Sequence, residues 1–293
     1  MSIDHFPDSH TASDEVSELD ELEFAGSVKP ETQHSSLRQS IPRPQTTVQP
    51  TRVQWRYAIF IPLIHLIACL AFVPWFFSWT GVALCILGLY VYSTLGINIG
   101  YHRLLTHRGM KAPKWFEHTL ALLGVCTLQD TPACWVAMHR IHHQHSDDQP
   151  DPHSPLVNFF WGHFGWLMFK NRDFTNVNDY QRHTRDLLKD PFYMKLERNG
   201  NSIKVYLGVA MLYPILGFVV GWFLHGNFGA AIQFAASLTV WGVFVRTVLS
   251  WHITWSVNSV THIWGYRNYE TKDNSRNNWI VGLIANGEGW HNN

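Results

Sequence analysis

The sequence predicts an all-α integral membrane protein: four transmembrane helices in two hairpins, with a cytoplasmic helical cap holding clusters of histidine. Three observations carry this. Long uncharged runs come in pairs, the turn inside each pair lacks Lys and Arg, and histidines crowd into short motifs where the runs end.

Taken in order, residues 1–50 hold nine acids (from Asp4 to Glu31) against Lys29, Arg38 and Arg43, among Ser, Thr, Gln and Pro. Such a stretch cannot bury enough apolar area to offset its ordering entropy, so it reads as a disordered tail. It does not have the pattern of a signal peptide. Residues 51–293 form the membrane domain, with spans expected at about 57–79, 82–101, 203–224 and 229–249 and the cap at about 102–201 and 250–293. Arg52 and Arg56 precede the first hairpin, and Arg103, Arg108, Lys111 and Lys114 follow it, which puts both its ends in the cytoplasm. The second hairpin turns at His225-Gly226-Asn227-Phe228, again without Lys or Arg. Arg246 is unusual for a span and is expected to snorkel from near its cytoplasmic end. The apolar stretch over residues 115–138 is interrupted by Gln129, Asp130 and Pro132. Were it to cross the bilayer, the histidines on its two sides would be separated, so it reads as an interfacial or re-entrant helix.

Composition limits the rest. The formal net charge is zero, so no nucleic-acid surface is implied. Fourteen Trp and 18 Phe lie mostly in or beside the apolar runs, which suits membrane-interface belts. Cys69, Cys85, Cys126 and Cys134 show no CxxC spacing and read as small buried hydrophobes.

The sharpest chemical signal is His139-Arg-Ile-His142-His143. Imidazoles at i, i+3 and i+4 share one helix face and can meet at one point. His102 and His107 are weaker as a pair, since five residues on an ideal helix is about 140° of rotation. His262 and His291 stand alone in sequence, and Asn258 lies one helical turn before His262. His65, His118, His183, His225 and His252 read as ordinary packing histidines; His145, His153 and His163 read equally as loop groups or as neighbours of a site. There is no HExxH zinc-hydrolase motif, no GxGxxG and no P-loop, and the boxes His102–His107 and His139–His143 contain none of the glutamates that a soluble di-iron bundle uses. Histidine-only clusters beside a membrane point to metal-based oxygen chemistry on a lipid-soluble substrate.

On these residues the chain resembles the membrane fatty acid desaturases, in their Δ9 (stearoyl-CoA type) acyl desaturase branch. Gly100-Tyr-His102-Arg-Leu-Leu-Thr-His107-Arg is similar to the family's first histidine box, and Trp135-Val-Ala-Met-His139-Arg-Ile-His142-His143 to the second. Val257-Asn258-Ser-Val-Thr-His262 resembles the segment with an additional ligand and a water-holding Asn. Gly287-Glu-Gly-Trp-His291 resembles the opening of the third box. That box is His-x-x-His-His in the family, whereas the sequence stops at Asn293, so the resemblance implies a C-terminus truncated inside the box and a ligand set two histidines short of the family's nine.

The resemblance implies a non-haem di-iron enzyme that uses O2 and two electrons to place a cis double bond, at Δ9, in a saturated acyl chain. Its metal ligands would be His102, His107, His139, His142, His143, His262 and His291, with Asn258 as an outer water-holding group. Gln129, Trp135, Trp251 and Trp255 would wall the acyl tunnel. The implied partners are a long-chain acyl substrate on CoA or a lipid, the bilayer, and an external donor such as cytochrome b5 or ferredoxin with its reductase. The implied setting is a bacterial inner membrane or the endoplasmic reticulum, with the site on the cytoplasmic side. A histidine-box hydroxylase and a catalytically silent membrane metal-binding protein are the alternatives.

Overall fold

Four helices are long and apolar enough to cross a membrane: α1 (Trp55–Phe72), α2 (Trp79–Thr106), α6 (Asn201–His225) and α7 (Phe228–Ile263). The cap adds α3 (Lys114–Val125), α4 (Pro132–His145), α5 (Pro191–Glu197) and α8 (Trp279–Ile284). The computed structural model describes residues 52–148, 151–169 and 180–293, and among these there is no strand, only isolated bridges. The tail assigned to residues 1–50 lies outside the described residues.

The span ends that differ most from the sequence reading are those of α1, α2 and α7. α1 stops at Phe72 rather than 79, because Val73 precedes Pro74 and is pushed into an extended conformation (φ −87°, ψ 120°). The chain re-enters at Ser78, whose hydroxyl accepts from the Gly81 N–H at 3.0 Å and caps α2. α2 and α7 run on past the expected 101 and 249. At 28 and 36 residues they exceed the roughly 20 that a bilayer needs, so both carry side chains beyond the hydrocarbon.

Residues 115–138 form two helices, not one. Leu128 and Asp130 take positive φ (58° and 64°) in the break, and Thr131 and Pro132 then start α4, with the Thr131 hydroxyl accepting from the Cys134 N–H. At 12 residues α3 is about 18 Å long, too short to span, as expected. It folds back along α2 where Gly96 meets Gly124: a Cβ on Gly96 would lie 2.3 Å from the Gly124 nitrogen. Ile97, Tyr101, Leu104, Leu120, Val136 and Tyr193 then form one buried cluster that joins α2, α3, α4 and α5.

Arg246 does not snorkel. It is 2% exposed in the middle of α7, donating from Nε to the Gly242 carbonyl (2.9 Å) and from Nη1 to the Cys126 carbonyl (2.8 Å), with its guanidinium 4.5 Å from the centre of the Tyr92 ring. Cys126 ends α3, so the buried cation neutralises a helix C-terminus and ties the cap to the bundle. The four cysteines are free.

Gly96→Ala should separate α2 from α3 and cost about 1–3 kcal/mol, seen as a lower Tm of the detergent-solubilised protein. Gly208→Ala, with open space around its added methyl, should leave Tm unchanged or slightly raised.

Candidate metal centre

The first pair of histidines is brought together by an unusual winding of α2. Residues Leu89–Thr106 follow π geometry, in which hydrogen bonds close over five residues rather than four. The His107 N–H donates to the His102 carbonyl at 3.0 Å, so side chains five apart stand over one another and their Nε2 atoms approach to 2.9 Å. An ideal α-helix would have splayed them.

α4 then delivers the second set as its spacing requires. His139 and His143 point at the first pair, with Nε2 atoms 3.0 Å apart, and the nitrogens of His102, His107, His139 and His143 all lie within 4.8 Å of one another. His142, between them in sequence, faces a second cluster with His262 and His291. His262 comes from the last turn of α7. His291 comes from the closing segment, where the buried Asn292 side chain accepts from the Asn268 and Tyr269 N–H groups and the Asn292 N–H donates to the Asn277 carboxamide oxygen. All seven histidines singled out in the sequence are therefore gathered into two adjoining groups.

Behind the rings stand three carboxylates. His102 Nδ1 is 2.8 Å from Glu288, His262 Nδ1 is 2.8 Å from Asp147, and His142 Nδ1 is 3.0 Å from Asp151. Each pairing fixes the proton on Nδ1 and leaves Nε2 with its lone pair toward the cluster. Burial alone would raise the carboxyls of Asp147, Asp151 and Glu288. Their hydrogen bonds and ion pairs with the histidines outweigh it and hold all three below the usual range. Burial also opposes protonation of His142, but Asp151 reverses that and raises its pKa. Elsewhere burial dominates, reinforced by neighbouring imidazoles: His139 and His291 are held well below their ordinary value and His143 is pushed down to about 3. Those rings are neutral at physiological pH, the form that ligates a metal.

The donor set fits a metal. Two ring nitrogens bound at roughly 2.1 Å and at a right angle to one metal would stand about 3 Å apart, as the paired Nε2 atoms do. His262 Nε2 is buried and has no hydrogen-bond partner among the described residues, although its other nitrogen is fully engaged. An all-imidazole set is suitable for iron, copper, zinc or nickel.

An apolar cavity of about 670 Å³ leads away from the first cluster, within the range of ligand pockets. Gln129, Trp135, Trp251 and Trp255, the four tunnel candidates, all line it, together with His139 and Asn258. Gln129 donates to Ser250 and Thr254 (3.2 and 3.1 Å), and Trp251 donates to the Thr127 carbonyl (2.9 Å), so these walls are fixed from behind. Trp135 lies 4.8 Å, centre to centre, from His139.

Of the remaining histidines, His153 lies 4.3 Å from His142 and shares Asp151 with it. His163 bonds His252, which bonds His65, each at 3.0 Å, in a row apart from the clusters. His118 sits with Glu117 and Asp190 at the start of α3, beside Lys114. His183 and His225 also stay outside the clusters. The sequence reading missed Asp147, Asp151 and Glu288. Their signal was available: Asp147 and Asp151 stand five and nine residues after His142, and Glu288 stands three residues before His291.

The fold and the site together define a multi-pass membrane protein with a histidine-lined metal site at the edge of an apolar cavity. Residues 77–293 match the family model described as fatty acid desaturase. The chain is 41% identical over 248 residues to the sn-1 stearoyl-lipid 9-desaturase of Anabaena variabilis, covering 85% of this chain and 83% of that one. It is 37% identical over 243 residues to the sn-2 palmitoyl-lipid 9-desaturase of Nostoc sp. (83% and 78%), and 38% identical over 237 residues to the acyl-CoA C20 Delta5-desaturase of Anemone leveillei (81% and 69%). The chain belongs to the fatty acid desaturase family.

Asp147→Asn and Glu288→Gln should each weaken metal binding about 10–100-fold while leaving the helix content unchanged. Chelator titration with metal counted per chain, beside circular dichroism, reads both. Equal metal retention in wild type and both variants would show that these carboxylates do not orient the ligands.

Proposed function

We propose that this protein is an acyl desaturase that places a cis double bond at the ninth carbon of a saturated chain. The observation that carries the reading is the position of His139: this ring of the first histidine cluster forms part of the wall of the apolar cavity, with Trp135 and Asn258 beside it. A methylene offers no acidic proton and no leaving group, so protein acids and bases cannot start the reaction. Two irons held by His102, His107, His139, His142, His143, His262 and His291 would supply the oxidising power, with O2 as co-substrate.

The balance is one saturated chain, O2, two electrons and two protons in, and one alkene and two waters out. Electrons come from an external carrier such as cytochrome b5 or ferredoxin with its reductase. Gln129, Trp135, Trp251 and Trp255 hold the chain so that one carbon pair is presented to the cluster, which is the positioning part of catalysis. Asn258 holds a water beside the ligands. Residues 51–293 are the catalytic domain and residues 1–50 a tail.

Arg52, Arg56, Arg103, Arg108, Lys111 and Lys114 flank the first hairpin, and its turn has no Lys or Arg, which supports a cytoplasmic site. Single cysteines placed at Thr80 and at Asn227 should react with an impermeant maleimide from outside, and one at Arg108 only after the membrane is opened. Reaction at Arg108 from outside would invert this topology.

For activity, the protein is expressed in a host without Δ9 unsaturation and its lipids are analysed. A cis-9 monoene is expected from wild type and from His225→Ala, and none from His142→Ala. A hydroxylated chain in place of the alkene would replace the reading with that of a hydroxylase. Metal binding without either product would indicate a silent metal-binding protein.

A further inference from the structure

Oxidisable aromatic rings lead from the first histidine cluster into the cap. The Trp135 ring lies 4.8 Å from that of His139 and 6.5 Å from that of His102, centre to centre. Tyr101 stands 5.6 Å from Trp135 and is wholly buried, and Tyr193 of α5, 1% exposed, belongs to the same buried cluster. The Tyr193 hydroxyl donates to the Glu117 carboxylate at 2.9 Å. Glu117 also accepts at 2.8 Å from Lys114, whose side chain is 66% exposed. A metal ligand is thus joined to the protein surface through one indole, two phenols and a carboxylate.

Packing does not explain the two hydroxyls. Phenylalanine would fill either site, and the Tyr101 hydroxyl is buried with no hydrogen-bond partner among the described residues, which is unfavourable in itself. What a phenol adds is the capacity to give up an electron. It does so readily only when its proton leaves as well, because an oxidised phenol is a strong acid. Tyr193 has a base in hydrogen-bond contact, whereas Tyr101 has none, so Tyr101 passes an electron along and Tyr193 is its source.

Such a path has a use in an oxidising site. A centre able to take hydrogen from a methylene also oxidises indoles, phenols and thioethers. With no chain in the cavity, its nearest targets are the ligand imidazoles and Met138, which lines the same wall as His139 and is converted by oxidants to the sulfoxide. We infer that Trp135, Tyr101 and Tyr193 form an electron-escape path that protects the metal site when oxidant is made without substrate. This rests on the desaturase reading and adds a protective function to it. Tyr193 gives up one electron, which passes through Tyr101 and Trp135 and reduces the oxidised centre by one. The Tyr193 O–H bond breaks, its proton goes to Glu117, and a neutral phenoxyl radical remains. A soluble thiol, going to its disulfide, returns the electron, and Glu117 returns the proton.

The test uses the iron-loaded protein in detergent, given hydrogen peroxide without acyl substrate and rapidly frozen. Electron paramagnetic resonance should show a tyrosyl radical, with a narrower line when the protein is grown on ring-deuterated tyrosine. Zinc-loaded protein should show none, because zinc has no redox chemistry. Tyr193→Phe should lower the radical several-fold and raise Met138 sulfoxide, read by mass spectrometry, several-fold. Glu117→Gln should shift both in the same directions, since the phenol then has no base, and it carries the comparison if Tyr193→Phe fails to fold. Tyr266→Phe, which alters an exposed tyrosine off the path, should change neither. An undiminished radical in the Tyr193 and Glu117 variants, or an equal loss in the Tyr266 variant, would overturn the path. So would a wild-type protein that forms alkene from a saturated chain yet shows no radical, an outcome that leaves the desaturase reading intact. If iron-loaded protein gives neither radical nor alkene, the path and the reading fall together.

Discussion

The pairing of a ligand imidazole with a carboxylate behind it is the interaction on which this structure depends. An imidazole alone can rotate and can exchange its proton between two nitrogens, so four separate segments would not converge on a defined centre. Asp147 removes that freedom for His262, and it also accepts from Ser154 (2.8 Å) and from the Asn274 N–H (2.7 Å). One buried carboxylate therefore joins the loop after α4, the end of α7 and the loop that leads into α8. Asp151 does the same locally, accepting from the Asp147 and His153 N–H groups as well as from His142. Glu288 carries the closing segment back to α2 through His102 and Arg103. Because a buried charge without partners is strongly unfavourable, these groups also make the arrangement close to all-or-none.

The spans and the second histidine motif were legible because each follows from a simple periodic rule. Lipid requires about 20 apolar residues with internally satisfied backbone, and three imidazoles at i, i+3 and i+4 must share a helix face. His102 and His107 obey no such rule until the winding of α2 is known, and no residue type in Leu89–Thr106 announces π geometry. The break between α3 and α4 was marked by Gln129, Asp130 and Pro132, but positive φ at Leu128 is set by tertiary packing. Arg246 misled for a similar reason. Its partners are two backbone carbonyls, one of them 120 residues away, and a carbonyl has no signature in sequence. The carboxylates behind the histidines were visible as residues and invisible as partners, since distance through space decides their role.

The histidine clusters lie on a boundary between two kinds of surroundings. On one side is the apolar cavity walled by tryptophans. On the other is a polar cavity of about 420 Å³, lined by Arg103, Tyr269, Asp273 and the rings of His107 and His143. Trp135 and His139 belong to the dry side, so the same short helix, α4, presents ligands to both. A reaction that joins a hydrocarbon to charged reactants needs such a divide, and the helix period supplies it by turning His139 and His143 a little away from each other.

Arg246 bears on how the chain is assembled at the ribosome. An arginine near the centre of a membrane helix opposes insertion by roughly 2.5–3.5 kcal/mol, so α7 is the span least able to enter lipid unaided. Its principal counter-group, the Cys126 carbonyl at the end of α3, is synthesised well before it and has already been placed by the first hairpin. N-terminal segments fold first during synthesis, so a receptive surface is waiting when the arginine emerges. The second hairpin is thus docked against finished structure as it inserts, and the order of the chain serves as part of the folding mechanism.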